Sequence, residues 1–223
     1  MREIVLDTET TGLNPAAGDK IVEIGCIELD NHLPTGRTYH QYINPERPMP
    51  EETFAIHGLS DEFLAEQLVM ADVAEAFLEF IGAAPLVIHN AEFDLRFINA
   101  ELEALDRPPL PAKRAIDTVG LARSAFPGAP ASLDALCKRF GIDNSSRALH
   151  GALLDAQLLA EVYLELIGGR QPDLKLKNDA AAAGTAAAAE TARRAPRPHA
   201  PSQAELAAHD KFLEKIDKPV WRE

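Results

Sequence analysis

Cysteine is scarce: Cys26 and Cys137 are the only two in 223 residues. That excludes a disulfide framework or a zinc site of paired thiolates, and it fits a reducing, cytoplasmic setting. Positive charge is also short. Twenty-two Lys and Arg face 35 Asp and Glu, for a net charge of −13, which argues against binding nucleic acid through a broad basic surface. Carboxylate-rich catalytic sites remain open, because clustered acids add negative charge and bound divalent ions reverse its local sign. No unbroken apolar run is long enough to span a bilayer, and the first residues enter a strand-like "REIVLD", so neither a membrane segment nor a leader is expected. What is present, 46% hydrophobic and 26% charged residues, suits one buried core with a remainder left for a tail.

Along the chain, "IVLD", "KIVEIGCIEL" and "TYHQYIN" read as three strands of an antiparallel meander, with turns at "LNPAAGD" and "LPTG". Helical signals follow. Asp72 and Glu75 form a capping-box pattern ahead of "VAEAFLEFIG", which should stop at Gly82. "PLVIH" is a short buried strand followed by a helical "AEFDLRFINAELEAL", and "RAIDT" is a further strand. Ser132 caps a helix that ends at Gly141, and residues 151–167 form a long, nearly all-apolar helix. The pattern predicts an α/β fold, a mixed sheet flanked by helices, over residues 1–168.

Three acidic clusters stand out. Asp7 and Glu9 are two residues apart where the first strand ends, so they point to the same side. Like charges that close repel unless a cation sits between them, and oxygen-only ligands favour Mg²⁺ or Mn²⁺. A turn cap by Asp7 is the plain alternative. Asp94 falls near a helix start just past a buried strand, where an acid is tolerated in any case. Asp155 lies inside the apolar helix, five residues after His150, and burying it unpaired would cost several kcal/mol.

"DTETTG" at 7–12, "HNAEFD" at 89–94 and "HGALLD" at 150–155 occur in that order, and together they resemble the signature of the DEDDh 3′–5′ exonucleases. Segments such as "IHGLSDEFL" and "SLDALCKRFGIDNS" are similar, within that family, to the proofreading epsilon subunits of bacterial DNA polymerase III. The resemblance covers residues 4–167 and implies a ribonuclease-H-like fold with a mixed five-stranded sheet. It also implies that Asp7, Glu9, Asp94 and Asp155 hold two divalent metal ions, Mg²⁺ or Mn²⁺, with His150 as general base. On that analogy Asp7 bridges both ions, Glu9 and Asp155 complete one, and Asp94 supports the other. Two ions about 3.5–4 Å apart would clamp the attacking and leaving oxygens, and a histidine ordinarily titrating near pH 6.5 suits the base. The substrate implied is a single-stranded or frayed 3′ end of DNA, cut to 5′-monophosphates. Leu13, Ile56, His57 and Phe93 would contact its terminal nucleotide, with core packing the alternative for Leu13 and Phe93. Thr8 and Thr10 are expected to face away or shape the turn, and Gly12 to leave room near a nucleotide.

Beyond the domain, residues 169–178 contain "QPDLKL", which resembles a sliding-clamp-binding peptide with Gln171, Leu174 and Leu176 as anchors. Residues 179–201 form a low-complexity Ala/Pro linker, about 25 residues that would span roughly 25–30 Å if flexible. In residues 202–223, Ser202 and Glu205 make a capping box, and Leu206, Leu213 and Ile216 share a stripe with Phe212 beside it. Those residues and Trp221 resemble the epsilon segment that docks on the polymerase alpha subunit. Two rival readings are a stand-alone DEDDh nuclease acting on RNA or short oligonucleotides, and a mainly structural tether between polymerase and clamp.

Overall fold

The computed structural model of the chain describes residues 1–145, 147, 149–168 and 200–216. Gln171, Leu174, Leu176 and Trp221 lie outside the described residues. Five strands form one sheet in the order β3-β2-β1-β4-β5. β1 (Arg2–Thr10), β2 (Ile21–Asp30) and β3 (Leu33–Tyr42) are the antiparallel meander, and β4 (Leu86–Ile88) and β5 (Ala115–Asp117) continue parallel to β1.

The hairpin between β2 and β3 turns at Asn31 and His32 (φ 50° and 68°) rather than at "LPTG". Two consecutive left-handed residues match the twist of the flanking strands. The Pro-Thr-Gly signal instead marks an irregularity inside β3, where the register shifts between Ile27 and Leu29 and Gly36 has φ 87°.

Among the described residues the domain has seven α-helices around this sheet: α1 (Glu51–His57), α2 (Asp61–Ala65), α3 (Met70–Ile81), α4 (Ala91–Ala104), α5 (Thr118–Ala125), α6 (Leu133–Phe140) and α7 (Ala152–Leu166). α3 starts two residues before the expected Asp72 cap. A bridge from Asn44 to Val69 keeps the chain extended up to that point, and buried Met70 opens the helix. Asp72 sits in the first turn, where its charge suits the helix N-terminus. The Ser132 cap and Gly141 stop of α6 are as expected, with Ser132 Oγ accepting from Ala135 N at 3.3 Å.

Strand alternation divides the core between the two faces of the sheet. Ile4 and Leu6 pack with Phe77, Phe97 and Ile98 under α3 and α4. Val5, Ile27 and Leu29 pack with Leu136, Leu159 and Val162 under α6 and α7. α8 (Gln203–Leu213) belongs to a second compact unit, with the Ser202–Glu205 capping box formed. On it Leu206 and Phe212 are exposed and Leu213 is buried; Ile216 beyond its end is half-buried. Among the described residues no helix is long and apolar enough to cross a membrane.

Candidate active site

Val5, Asp7 and Glu9 share the β1 face that α7 covers. Asp7 pairs in register with Gly25 of β2. A Cβ at Gly25 would lie 2.3 Å from the backbone of Ala152 and Leu153, so the missing side chain is what lets the start of α7 press onto the strand. That contact brings buried Asp155, in the helix's first turn, over Asp7 and Glu9.

Asp94 arrives from the other face. β4 runs beside β1 with Ile88 opposite Leu6, and the chain turns through His89 and left-handed Asn90 (φ 65°) into α4. Asp117 at the end of β5 accepts from the Asn90 backbone N–H at 3.0 Å and steadies that turn. Asp94, buried in the first turn, accepts a 2.7 Å hydrogen bond from Thr8 Oγ1. Thr8 therefore does not simply face away; it orients an acid of the cluster. Gly12 also differs from expectation, since the space at its missing Cβ is filled by the Asp19 carboxylate 2.3 Å away.

The four acids and His150 line one cleft of about 300 Å³ at the carboxyl ends of the parallel strands. Burial raises the carboxyl of Asp7 well above its usual range, reinforced by Asp94, Glu9 and Asp155. Glu9 is pushed up to about 8, first by burial and then by Asp155 and Glu23. Asp94 moves the same way through burial, held back by Thr8. Ligand atoms of Glu9, His150 and Asp155 lie within 4.8 Å of one another. Crowded oxygen donors that resist ionising alone fit a divalent cation.

Of the four residues expected to contact a terminal nucleotide, Phe93 lines this cleft, whereas Leu13, Ile56 and His57 are not among its lining residues. Leu13 is 76% exposed beyond the end of β1, so it is not a core residue. Ile56 is exposed at the end of α1, and its carbonyl accepts from His150 N at 3.1 Å. His57 is buried, with Nδ1 accepting from Leu59 N at 3.1 Å, and burial lowers its pKa. Phe93 packs its ring against Phe97, tilted with centroids 5.0 Å apart, and also lines the cleft.

Sequence reasoning missed three participants. Arg147 grips Asp155 with Nε and Nη2, at 2.5 and 2.6 Å, and reaches Asp134 at 2.8 Å and His150 Nδ1 at 2.9 Å. Its place three residues before His150 was a usable signal, as a cation beside an acidic motif. Glu23, opposite Glu9 in register, is buried and contacts His40 Nε2 at 2.7 Å. His89 lines the cleft and meets Thr118 Oγ1 at 2.9 Å.

A five-stranded mixed sheet with four acids and a histidine at its parallel-strand ends defines a ribonuclease-H-like nuclease of the DEDDh type. The profile of the exonuclease family, RNase T, matches residues 4–163, and the chain belongs to that family; it is a 3′–5′ exonuclease, a phosphodiester hydrolase. It is 49% identical to a DNA polymerase III subunit epsilon of Rickettsia conorii over 227 residues, 99% of each chain. The subunit epsilon of Salmonella typhimurium is 44% identical over 238 residues, covering 99% of this chain and 97% of the relative. Among solved structures, Exonuclease X in complex with 5′ overhanging duplex DNA aligns with a TM-score of 0.58 at 27% identity, over 74% of this chain and 90% of that one. The nuclease domain of 3′hExo, a DEDDh family member bound to rAMP, shares the fold with a TM-score of 0.65 at 19% identity, over 74% and 91%.

Proposed function

We propose that this chain proofreads DNA replication as the epsilon subunit of a bacterial DNA polymerase III core, in the cytoplasm, removing mispaired 3′-terminal nucleotides as 5′-monophosphates. The convergence of Asp7, Glu9, Asp94 and Asp155 with His150 in one cleft carries the reading. Relatives named as that subunit, similar over nearly the full length of both chains, support the replicative role.

Asp7, Glu9, Asp155 and Asp94 would hold two Mg²⁺ or Mn²⁺ ions, which when bound supply charge neutralisation at the phosphate and a lowered pKa for water. The chain's own residues do the rest. His150 takes the proton of the attacking water. Thr8 holds Asp94 in place through its hydroxyl. Leu13, Ile56, His57 and Phe93 hold the terminal nucleotide, and a cleft that admits a single strand selects mispaired ends because they fray at lower cost than paired ones. Gln171, Leu174 and Leu176 would engage the sliding clamp. Leu206, Phe212, Leu213, Ile216 and Trp221 would dock on the polymerase alpha subunit.

The test is release of mononucleotides from a primer with a mismatched 3′ end. Asp7→Ala should abolish release with the thermal transition intact. His150→Gln should slow turnover by about 10²–10⁴-fold while Mn²⁺ binding persists. Full activity in Asp7→Ala would sink the metal assignment, and faster cleavage of RNA than DNA would favour a stand-alone nuclease.

A further inference from the structure

Arg147 is 8% exposed at its side chain and lies against Asp155, whose side chain is 5% exposed. Its two contacts to Asp155 use both carboxylate oxygens, the arrangement in which a guanidinium binds a carboxylate most firmly. Both oxygens are then engaged by a cation of the chain's own. The third contact matters as much. An arginine N–H can only donate, so at 2.9 Å His150 Nδ1 must be the acceptor. A neutral imidazole has one ring lone pair, so the ring proton sits on Nε2 and no lone pair is left to receive another.

We propose that Arg147 is an internal latch: it takes the place of a cation at Asp155 and occupies the lone pair of His150, so the nuclease stays off until a divalent ion displaces it. The inference rests on the metal-site reading above. Asp134, 59% exposed at its side chain and 2.8 Å from Nη1, gives the displaced guanidinium a second carboxylate at the rim of the cleft. Among the described residues Arg147 is the one guanidinium lining the cleft, and the latch accounts for its place among acids that otherwise repel one another. It also keeps a metal-free nuclease from holding a free base and a free Asp155 carboxylate at once.

The latch predicts competition between Arg147 and metal, which can be read without turnover. Mn²⁺ alone is titrated into the full-length protein and free Mn²⁺ followed by electron paramagnetic resonance. Arg147→Gln should bind Mn²⁺ about tenfold more tightly than wild type, equivalent to ~1.4 kcal/mol. Arg147→Lys keeps the charge without the fork and should fall between them. In the metal-free wild type, ¹⁵N spectra of the histidine rings should place the His150 proton on Nε2, and that preference should fade in Arg147→Gln. Equal or weaker Mn²⁺ binding by Arg147→Gln, with wild type binding normally, overturns the latch alone. No Mn²⁺ binding by wild type overturns the metal site and the latch together.

Discussion

At the residue scale, Glu9 shows how crowded buried acids behave with no cation between them. Its carboxyl is pushed up to about 8 by burial, Asp155 and Glu23, and Asp7 and Asp94 shift the same way. Between the unfolded value near 4.5 and the folded value, the native state holds more protons than the unfolded chain. The stability that these carboxyls contribute therefore falls as pH rises through that window. The metal-free protein should melt at a lower temperature at pH 8 than at pH 5, and Mn²⁺ should raise the transition more at pH 8. Glu9→Gln removes the charge, so at pH 8 it should stabilise the metal-free protein by on the order of a few kcal/mol while weakening Mn²⁺ binding. A metal-free transition that climbs from pH 5 to pH 8 would contradict this. The same-side spacing of Asp7 and Glu9 was legible because it depends only on strand period. Glu23 and Thr8 were not, because their roles come from cross-strand register and from a helix that arrives from elsewhere in the chain.

At the element scale, the site depends on how closely α7 approaches β2. Gly25 looks like an unremarkable weak point in a β-branched strand, yet any side chain there meets the backbone of Ala152 and Leu153. Gly25→Ala should cost about 1–3 kcal/mol through overpacking and, by pushing the start of α7 outward, weaken Mn²⁺ binding and exonuclease activity together. Gly151, with open space around its missing Cβ and an extended φ of −158°, is the matched control. Gly151→Ala should leave Mn²⁺ binding close to wild type, and equal damage from both substitutions would refute the packing account. Elements with a cap and a long apolar stripe were legible, as with α6 between Ser132 and Gly141 and α7 itself. α1 and α2, seven and five residues long, are too short to show a helical period. "LPTG" misled because a turn-like composition also serves a bulge, and the real turn used Asn31 and His32, whose left-handed pairing leaves little trace in composition.

At the scale of the whole molecule, charge and tail explain each other. A chain with net charge −13 gains little from counterion release on DNA and cannot hold a substrate by general attraction. On the proposed reading tethering would supply what charge does not: a linker of about 25 residues, spanning roughly 25–30 Å if flexible, would keep the domain at millimolar effective concentration near the partner of its end segment. The composition change after residue 168 was legible because a stretch of Ala and Pro cannot build a core. All four acids, His150 and Arg147 fall within residues 1–168, so a version ending at residue 168 should degrade a mismatched primer in free solution as fast as the full chain. Only the full chain should co-purify with the polymerase subunit. When primer is held by polymerase and clamp, the full chain should outpace the truncated one, and added salt should leave that advantage in place because it rests on tethering. If the truncated protein binds polymerase equally well, the docking role of residues 202–223 is wrong. If it loses cleavage of free DNA, the site reaches beyond the cleft at the strand ends.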